Sequence, residues 1–259
     1  MTRIGPSQPV HLLEGKPPLV ILHGLFGSAR NWKSVEARLS KRFTVFAIDA
    51  RNHGDSFWAD TMSYPEMAAD VVRYLDDRGI RSADFIGHSM GGKTAMETAL
   101  AHPGRVNRLV VVDIAPRAYP RAHDTILEAM VAVRPEEFRD RQAIEKALSR
   151  SIPDPVIRRF LLTSVRREEG GVLRWKVNLQ ALRDNYDRLI AGLGGGRSFG
   201  GRTLFILGGE SDTVGSGDEG EILRMFPNTE FVRIDGAHHW VHADRPAEFL
   251  SVVEGFLAS

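Results

Sequence analysis

Residues 86–94 read IGHSMGGKT, and that run satisfies two motifs of unrelated chemistry. As G-x-x-x-x-G-K-[ST], Gly87 to Thr94 form a loop whose backbone cradles phosphate; as G-x-S-x-G, Gly87 to Gly91 form a sharp turn that lifts Ser89 out as a nucleophile. Both motifs join a strand to a helix, so the run cannot choose between them by itself. The flanking chain can.

Six short apolar runs rich in β-branched and aromatic residues surround or include it: PPLVILHG (17–24), FTVFAIDA (43–50), ADFIGHS (83–89), RLVVVDIA (108–115), RTLFILGG (202–209) and EFVRIDG (230–236). Near-continuous runs of this length suit strands covered on both faces, hence a parallel sheet. Between them the spacing turns helical. Trp32, Val35 and Leu39 share one face of 30–41; Met67, Val71, Tyr74 and Leu75 share one face of 65–78; Phe249, Val252, Val253 and Phe256 share one face of 245–258. The alternation predicts an α/β fold with a mostly parallel central sheet flanked by helices. It lapses between 117 and 200, where helical patterns at 124–133, 136–150, 154–165 and 179–191 follow one another without a core strand. The chain thus divides into a core, 1–116 and 201–259, and an inserted helical lid, 117–200. The glycine-rich GLGGGRSFGG (192–201) reads as a flexible return to the sheet.

Composition narrows the function classes. The 259 residues, 42% of them hydrophobic, suffice for the core of one such domain. A formal charge of +1 provides no global field to recruit nucleic acid or an acidic membrane surface. Within 117–200, 16 Lys plus Arg face 11 Asp plus Glu, a formal +5 against −4 elsewhere. A solvated helical surface accounts for that excess, with an anion-attracting mouth as the alternative. The absence of cysteine excludes disulfides, thiolate metal sites and a cysteine nucleophile. The opening MTRIGPSQPVHLLEG has no apolar core of a secretory signal, and no apolar stretch approaches the roughly 18 residues of a membrane span. A cytoplasmic protein with small neutral partners is expected; oligomeric state is not legible.

The phosphate reading draws some support from VVVD (110–113), an apolar strand ending in a magnesium-type Asp. Yet a phosphate loop usually follows the first core strand, and here two strands precede it. The serine reading gives every flank a purpose. Upstream, the strand at 17–22 runs into HGLFGS (23–28), a glycine-bearing turn whose backbone N–H groups can face an oxyanion; downstream, the last strand ends in GAHHWVHADRP (236–246), with adjacent histidines able to serve as a base. Serine, acid and histidine then follow in the chain order of the α/β-hydrolase superfamily, each after a strand's carboxyl end. The set HGLFGS, DARNHGDS (49–56), GHSMGGK, VVDIAP (111–116) and GAHHWVHADRP resembles the YbfF-type esterase and thioesterase group over roughly residues 17–258, and is also similar to a mitochondrial abhydrolase-domain esterase branch. The resemblance implies an α/β-hydrolase fold and a serine hydrolase acting on acyl esters or thioesters, without metal or organic cofactor. A slow-turnover ligand sensor on the same scaffold is the alternative from another class.

Roles follow on these terms. Ser89 is the nucleophile, needing a base within hydrogen-bond reach. His239 is that base because the group's pattern reads GA-x-H-W; His238 occupies the variable position, and His23, His88 and His242 are expected to be structural. For the acid, Asp212 in GGESDTV (208–214) stands where most α/β hydrolases carry it, and Asp113 stands where the YbfF-type group puts it; Asp113 is preferred, with Asp212 as the alternative. The oxyanion hole is expected from the backbone N–H groups of Met90 and Leu25, with Phe26 in reserve. Asp49, Arg51, His53 and Ser56 are expected to brace that turn. Phe26, Met90 and Trp240 are expected beside the acyl group, whereas Trp32, Met130 and Phe160 have the weaker claim of general apolar residues.

Overall fold

The computed structural model describes residues 12–258; residues 1–11, part of the opening segment read above, lie outside them. Strands β1 (Pro18–Leu22), β2 (Thr44–Ile48), β3 (Ala83–His88) and β4 (Val106–Val112) are followed by a separate antiparallel hairpin, β5 (Val165–Arg167) and β6 (Leu173–Trp175), and then by β7 (Arg202–Gly208) and β8 (Thr229–Ile234). The main sheet has the order β2-β1-β3-β4-β7-β8 with every neighbouring pair parallel. All six expected strands are present, in the expected class of sheet.

Burial on both faces explains the unbroken apolar runs. In β1, Leu19 and Ile21 join a buried cluster with Trp32, Leu39, Phe249 and Val253, whereas Val20 and Leu22 join the opposite cluster with Met67, Val71 and Met96. Helix α1 (Lys33–Leu39) therefore covers one face, and α2 (Tyr64–Asp76) and α3 (Met90–Ala101) the other. Each fully buried Leu, Ile, Val or Phe contributes roughly 1.5–3 kcal/mol of transfer free energy. The chain moves from β1 outward to β2, then back across to β3 on the other side of β1. That reversal opens a crevice at the carboxyl ends of β1 and β3, where open α/β sheets bind ligands.

Between β4 and β7 lie α4 (Asp124–Ala132), α5 (Arg141–Leu148), α6 (Pro155–Leu162), the hairpin, α7 (Leu179–Asp184) and α8 (Tyr186–Ile190). The helix expected over 136–150 is shorter, because Asp140 caps α5 by accepting the Ala143 N–H at 2.9 Å and leaves Pro135–Glu137 as a separate 3-10 turn. The hairpin is new relative to the sequence reading; three residues a strand is too short for alternation to register. Leu127, Ile144, Leu161, Val165 and Leu182 belong to the same buried cluster as Val20 and Leu22, so this insertion shares the core of the sheet.

The glycine-rich return is pinned, contrary to a free linker. Leu193 N–H donates to Pro116 O at 2.8 Å, Phe199 N–H to Met225 O at 2.8 Å, and Arg197 pairs with Glu97 at 2.8 Å. Helices α9 (Glu219–Met225), α10 (Val241–Asp244) and α11 (Pro246–Ala258) complete the chain. No helix among the described residues is long and apolar enough to cross a membrane.

Candidate active site

At the end of β3 the backbone turns on one residue. Ser89 has φ 52° and ψ −118°, and α3 begins at Met90. A serine held at positive φ is strained, and such strain persists only where surrounding structure enforces it. Here the enforcement is close packing. A Cβ on Gly87 would lie 2.3 Å from Gly91 O, and one on Gly91 would lie 2.3 Å from Leu22 O, so neither position accepts a side chain. Those two glycines let strand and helix approach while Ser89 projects at the bend. The phosphate-loop alternative does not match this geometry: Lys93 lies inside α3, 1% exposed, its Nζ donating to Arg117 O and Ala191 O at 2.7 Å each.

Asp113 sits immediately beyond β4, also at positive φ (50°) and 1% exposed. Its Oδ1 accepts the Gly208 N–H at 2.9 Å; its Oδ2 accepts the Ser211 hydroxyl at 2.6 Å and His239 Nδ1–H at 2.8 Å. A buried carboxylate is stable only when so satisfied. The bond to Asp113 puts the His239 proton on Nδ1 and leaves Nε2 bare. His239 is fixed from behind as well, for His88 Nε2–H donates to His239 O at 2.8 Å. Burial first, and the neighbouring His239 and His242 next, hold His88 well below the usual imidazole range, so it acts as a neutral strut. Asp212 is exposed, and its carboxylate has no hydrogen-bond or ion-pair partner among the described residues. His238 is exposed too, near Asp244 rather than Asp113.

The turn after β1 is braced by two neutral imidazoles. His53 Nε2 accepts the Phe26 N–H at 3.2 Å while its Nδ1–H donates to Arg51 O at 3.0 Å; His23 Nε2 accepts the Ala50 N–H at 3.1 Å while its Nδ1–H donates to Gly24 O at 2.8 Å. Burial is the main cause that lowers both, with His53 brought to about 3. Asp49 completes the brace, accepting N–H groups from Ala29 and Asp55 at 2.7 and 2.8 Å. With its N–H engaged by His53, Phe26 is removed from the reserve list of oxyanion donors. The N–H groups of Leu25 and Met90 have no partner among the described residues.

Two cavities meet at Ser89. The first, about 240 Å³, has Phe26, Ile126, Ile157, Phe160, Leu161 and Trp240 in its wall. The second, about 370 Å³, presents Tyr64, Lys93, Arg117, Tyr119, Tyr186 and Thr213. Leu25, Ser89, Ala122, His123 and His239 line both. Met90 borders the second cavity, and Trp32, stacked on His242 at 4.1 Å, lies in the wall of the first, whereas Met130 is core. Sequence reasoning passed over Ser211, next to the more conspicuous Asp212, and His123, a lone histidine ahead of a surface helix. No group of three or more His, Cys, Asp or Glu able to hold a metal occurs among the described residues.

A strained serine at a strand–helix bend, lining the same cavities as an imidazole bonded to a buried carboxylate at the carboxyl edge of a parallel sheet, fits the class of α/β hydrolases by its geometry. Residues 19–252 match the alpha/beta hydrolase family, and the chain belongs to it. Within that family it is 40% identical to sn-1-specific diacylglycerol lipase ABHD11 of Mus musculus, over 96% of this chain and 84% of the relative. It is 36% identical to esterase YbfF of Escherichia coli, over 93% and 92%. A solved marine microorganism esterase superposes with a TM-score of 0.90 at 39% identity, covering 95% of this chain and 99% of that one. Relatives named as esterases and lipases support an ester-cleaving hydrolase.

Proposed function

We propose that the chain is a serine hydrolase that cleaves carboxylic esters, and acyl thioesters as second substrates, through an acyl-enzyme on Ser89. The reading is carried by the 2.8 Å His239–Asp113 bond at a cavity junction shared with Ser89. His239 Nε2 takes the proton of the Ser89 hydroxyl as its oxygen attacks the substrate carbonyl, and Asp113 stabilises the resulting imidazolium. The carbonyl oxygen, now an oxyanion, accepts from the N–H groups of Leu25 and Met90. Collapse breaks the acyl–oxygen or acyl–sulfur bond, and His239 returns the proton to the leaving alcohol or thiol. Water, deprotonated by His239, then repeats the attack and frees the acid. Residues 117–200 serve as the lid, since Ala122, His123, Ile126, Ile157, Phe160 and Leu161 belong to the walls over Ser89.

A fluorophosphonate is expected to label the peptide holding Ser89, and Ser89→Ala to abolish both label and turnover, the latter by on the order of 10⁶-fold. A panel of esters, thioesters and a diacylglycerol then ranks substrates. Release of one product equivalent followed by arrest would instead favour a sensor, and labelling elsewhere would overturn the assignment.

A further inference from the structure

Of the residues common to both cavities, His123 alone offers a polar side chain with no part in the chemistry above. Its Nδ1 lies 2.9 Å from the Tyr186 hydroxyl, and that same oxygen accepts the His123 backbone N–H at 2.9 Å. Tyr186 is buried, and no other acceptor for its hydroxyl proton occurs among the described residues. A hydroxyl has one proton to give, and leaving it unshared inside the protein is costly. Tyr186 O–H therefore donates to Nδ1, which places the ring's own proton on Nε2. That atom has no partner among the described residues. Burial, then the nearby His239, lowers the His123 pKa and keeps the ring neutral. Phe26 and Tyr186 hold it edge-on, each at 6.1 Å between centroids. The wall shared by the two cavities thus carries one fixed donor.

Resting on the reading of Ser89 as nucleophile, we propose that His123 is a specificity-determining residue whose Nε2–H donates a hydrogen bond to an oxygen of the substrate's alcohol portion. The acyl chain fills the cavity walled by Phe160 and Trp240; the alcohol passes His123 into the cavity walled by Tyr64, Tyr119 and Thr213.

The 2-methoxyethyl and n-butyl esters of one acid have the same shape and differ by a single ether oxygen, which makes them the probes. Dividing the wild-type ratio of their kcat/KM values by that of His123→Phe cancels intrinsic reactivity, and the quotient is expected to be roughly 3 to 10, carried by KM. His123→Gln, which keeps a donor, is expected to retain part of the preference. Tyr186→Phe, which unlocks the ring, is expected to reduce the same ratio. Fluorophosphonate labelling of Ser89 reports whether each variant is folded, and the Gln and Tyr186 variants decide the matter if the Phe variant is not. A ratio unmoved by all three changes overturns the role of His123 and leaves hydrolysis standing. A wild type that hydrolyses neither ester brings down both readings.

Discussion

The carboxyl edge of the sheet and the insertion between β4 and β7 both bury apolar side chains, but they fasten polar groups in opposite ways. At the sheet edge His23, Asp49, Asn52, His53, His88 and Asp113 are all buried, and they bond chiefly to backbone groups of the turns around them. In the insertion three polar side chains other than tyrosine are buried among the described residues, and each reaches out to the framework: Ser164 to Phe26 O, Lys176 to Asp55 at 2.7 Å, and Asn185 to Asp60 O at 2.8 Å. Many of its charges lie in surface pairs such as Arg134–Glu137, Arg166–Glu168 and Arg174–Glu168, and part of its excess is met by framework acids, as in Arg117–Asp218, Lys176–Asp55 and Arg197–Glu97. That pairing favours the solvated-surface account of the basic segment over an anion-attracting mouth. The difference separates two tasks. On the proposed function, the reacting atoms need a frame that does not move, whereas the lid needs only enough attachment to stay registered over it.

The sharpest way to break this comparison is to remove a charge from the frame and its counterpart from the rim. Asp113→Asn is expected to lower kcat by about 10⁴-fold, because the imidazole loses its orienting carboxylate, while Asp212→Asn changes it less than about 3-fold. Steady-state kinetics on one ester decide it; equal losses would erase the distinction between buried and exposed carboxylates.

Lys93 tests the seam between the two regions. Burial first, and Arg117 second, lower its pKa from 10.5 to about 7. The unfolded chain then binds more protons between pH 7 and 10.5, so stability is expected to rise with pH through that window, by about 1.4 kcal/mol per unit at most, with the full cost of the buried charge present below pH 7. Denaturant melts of wild type against Lys93→Met should show this slope in the former and its loss in the latter. Parallel pH profiles would mean that the amine is not held as described.

His53→Leu removes the acceptor of the Phe26 N–H and loosens the turn bearing Leu25. A fall in kcat of roughly 10- to 100-fold is expected, less than the loss of a whole oxyanion donor, with labelling of Ser89 retained. An unchanged kcat would show that the brace is dispensable. At the far end of the scale, Glu168→Gln breaks two exposed pairs in the insertion and should leave the melting temperature where it was, because surface ion pairs are screened and entropically costly. A clear drop there would make the insertion's surface as structural as the frame.

How much was legible in the sequence divides along the same line. Strands β1, β2, β3, β4 and β7 announced themselves because both of their faces are largely covered, while edge strand β8, with Glu230 and Arg233 exposed, was legible only from Phe231, Val232 and Ile234; the G-x-S-x-G run was legible because close approach at Gly87 and Gly91 tolerates nothing larger. The pair Asp113 and Asp212 was visible, but the choice between them was not. Both follow strands at one end of the sheet, and only the fold determines that the carboxylate directly off β4 meets His239 while the one four residues past β7 stays exposed at the edge of the second cavity. His123 carried no signal, since its significance lies in a contact with Tyr186, 63 residues away, and in cavities that exist only once the insertion has folded over β1 and β3.

Both carbonyls that meet the Lys93 amine belong to the points where the insertion departs and comes back, and there Tyr119 N–H donates to Ile190 O and Leu193 N–H to Pro116 O, each at 2.8 Å. The segment is thus a loop cinched at its neck. A neck of this kind makes the piece exchangeable, since a longer, shorter or differently charged cap can be grafted between the same two ends while the parts that break bonds keep their places.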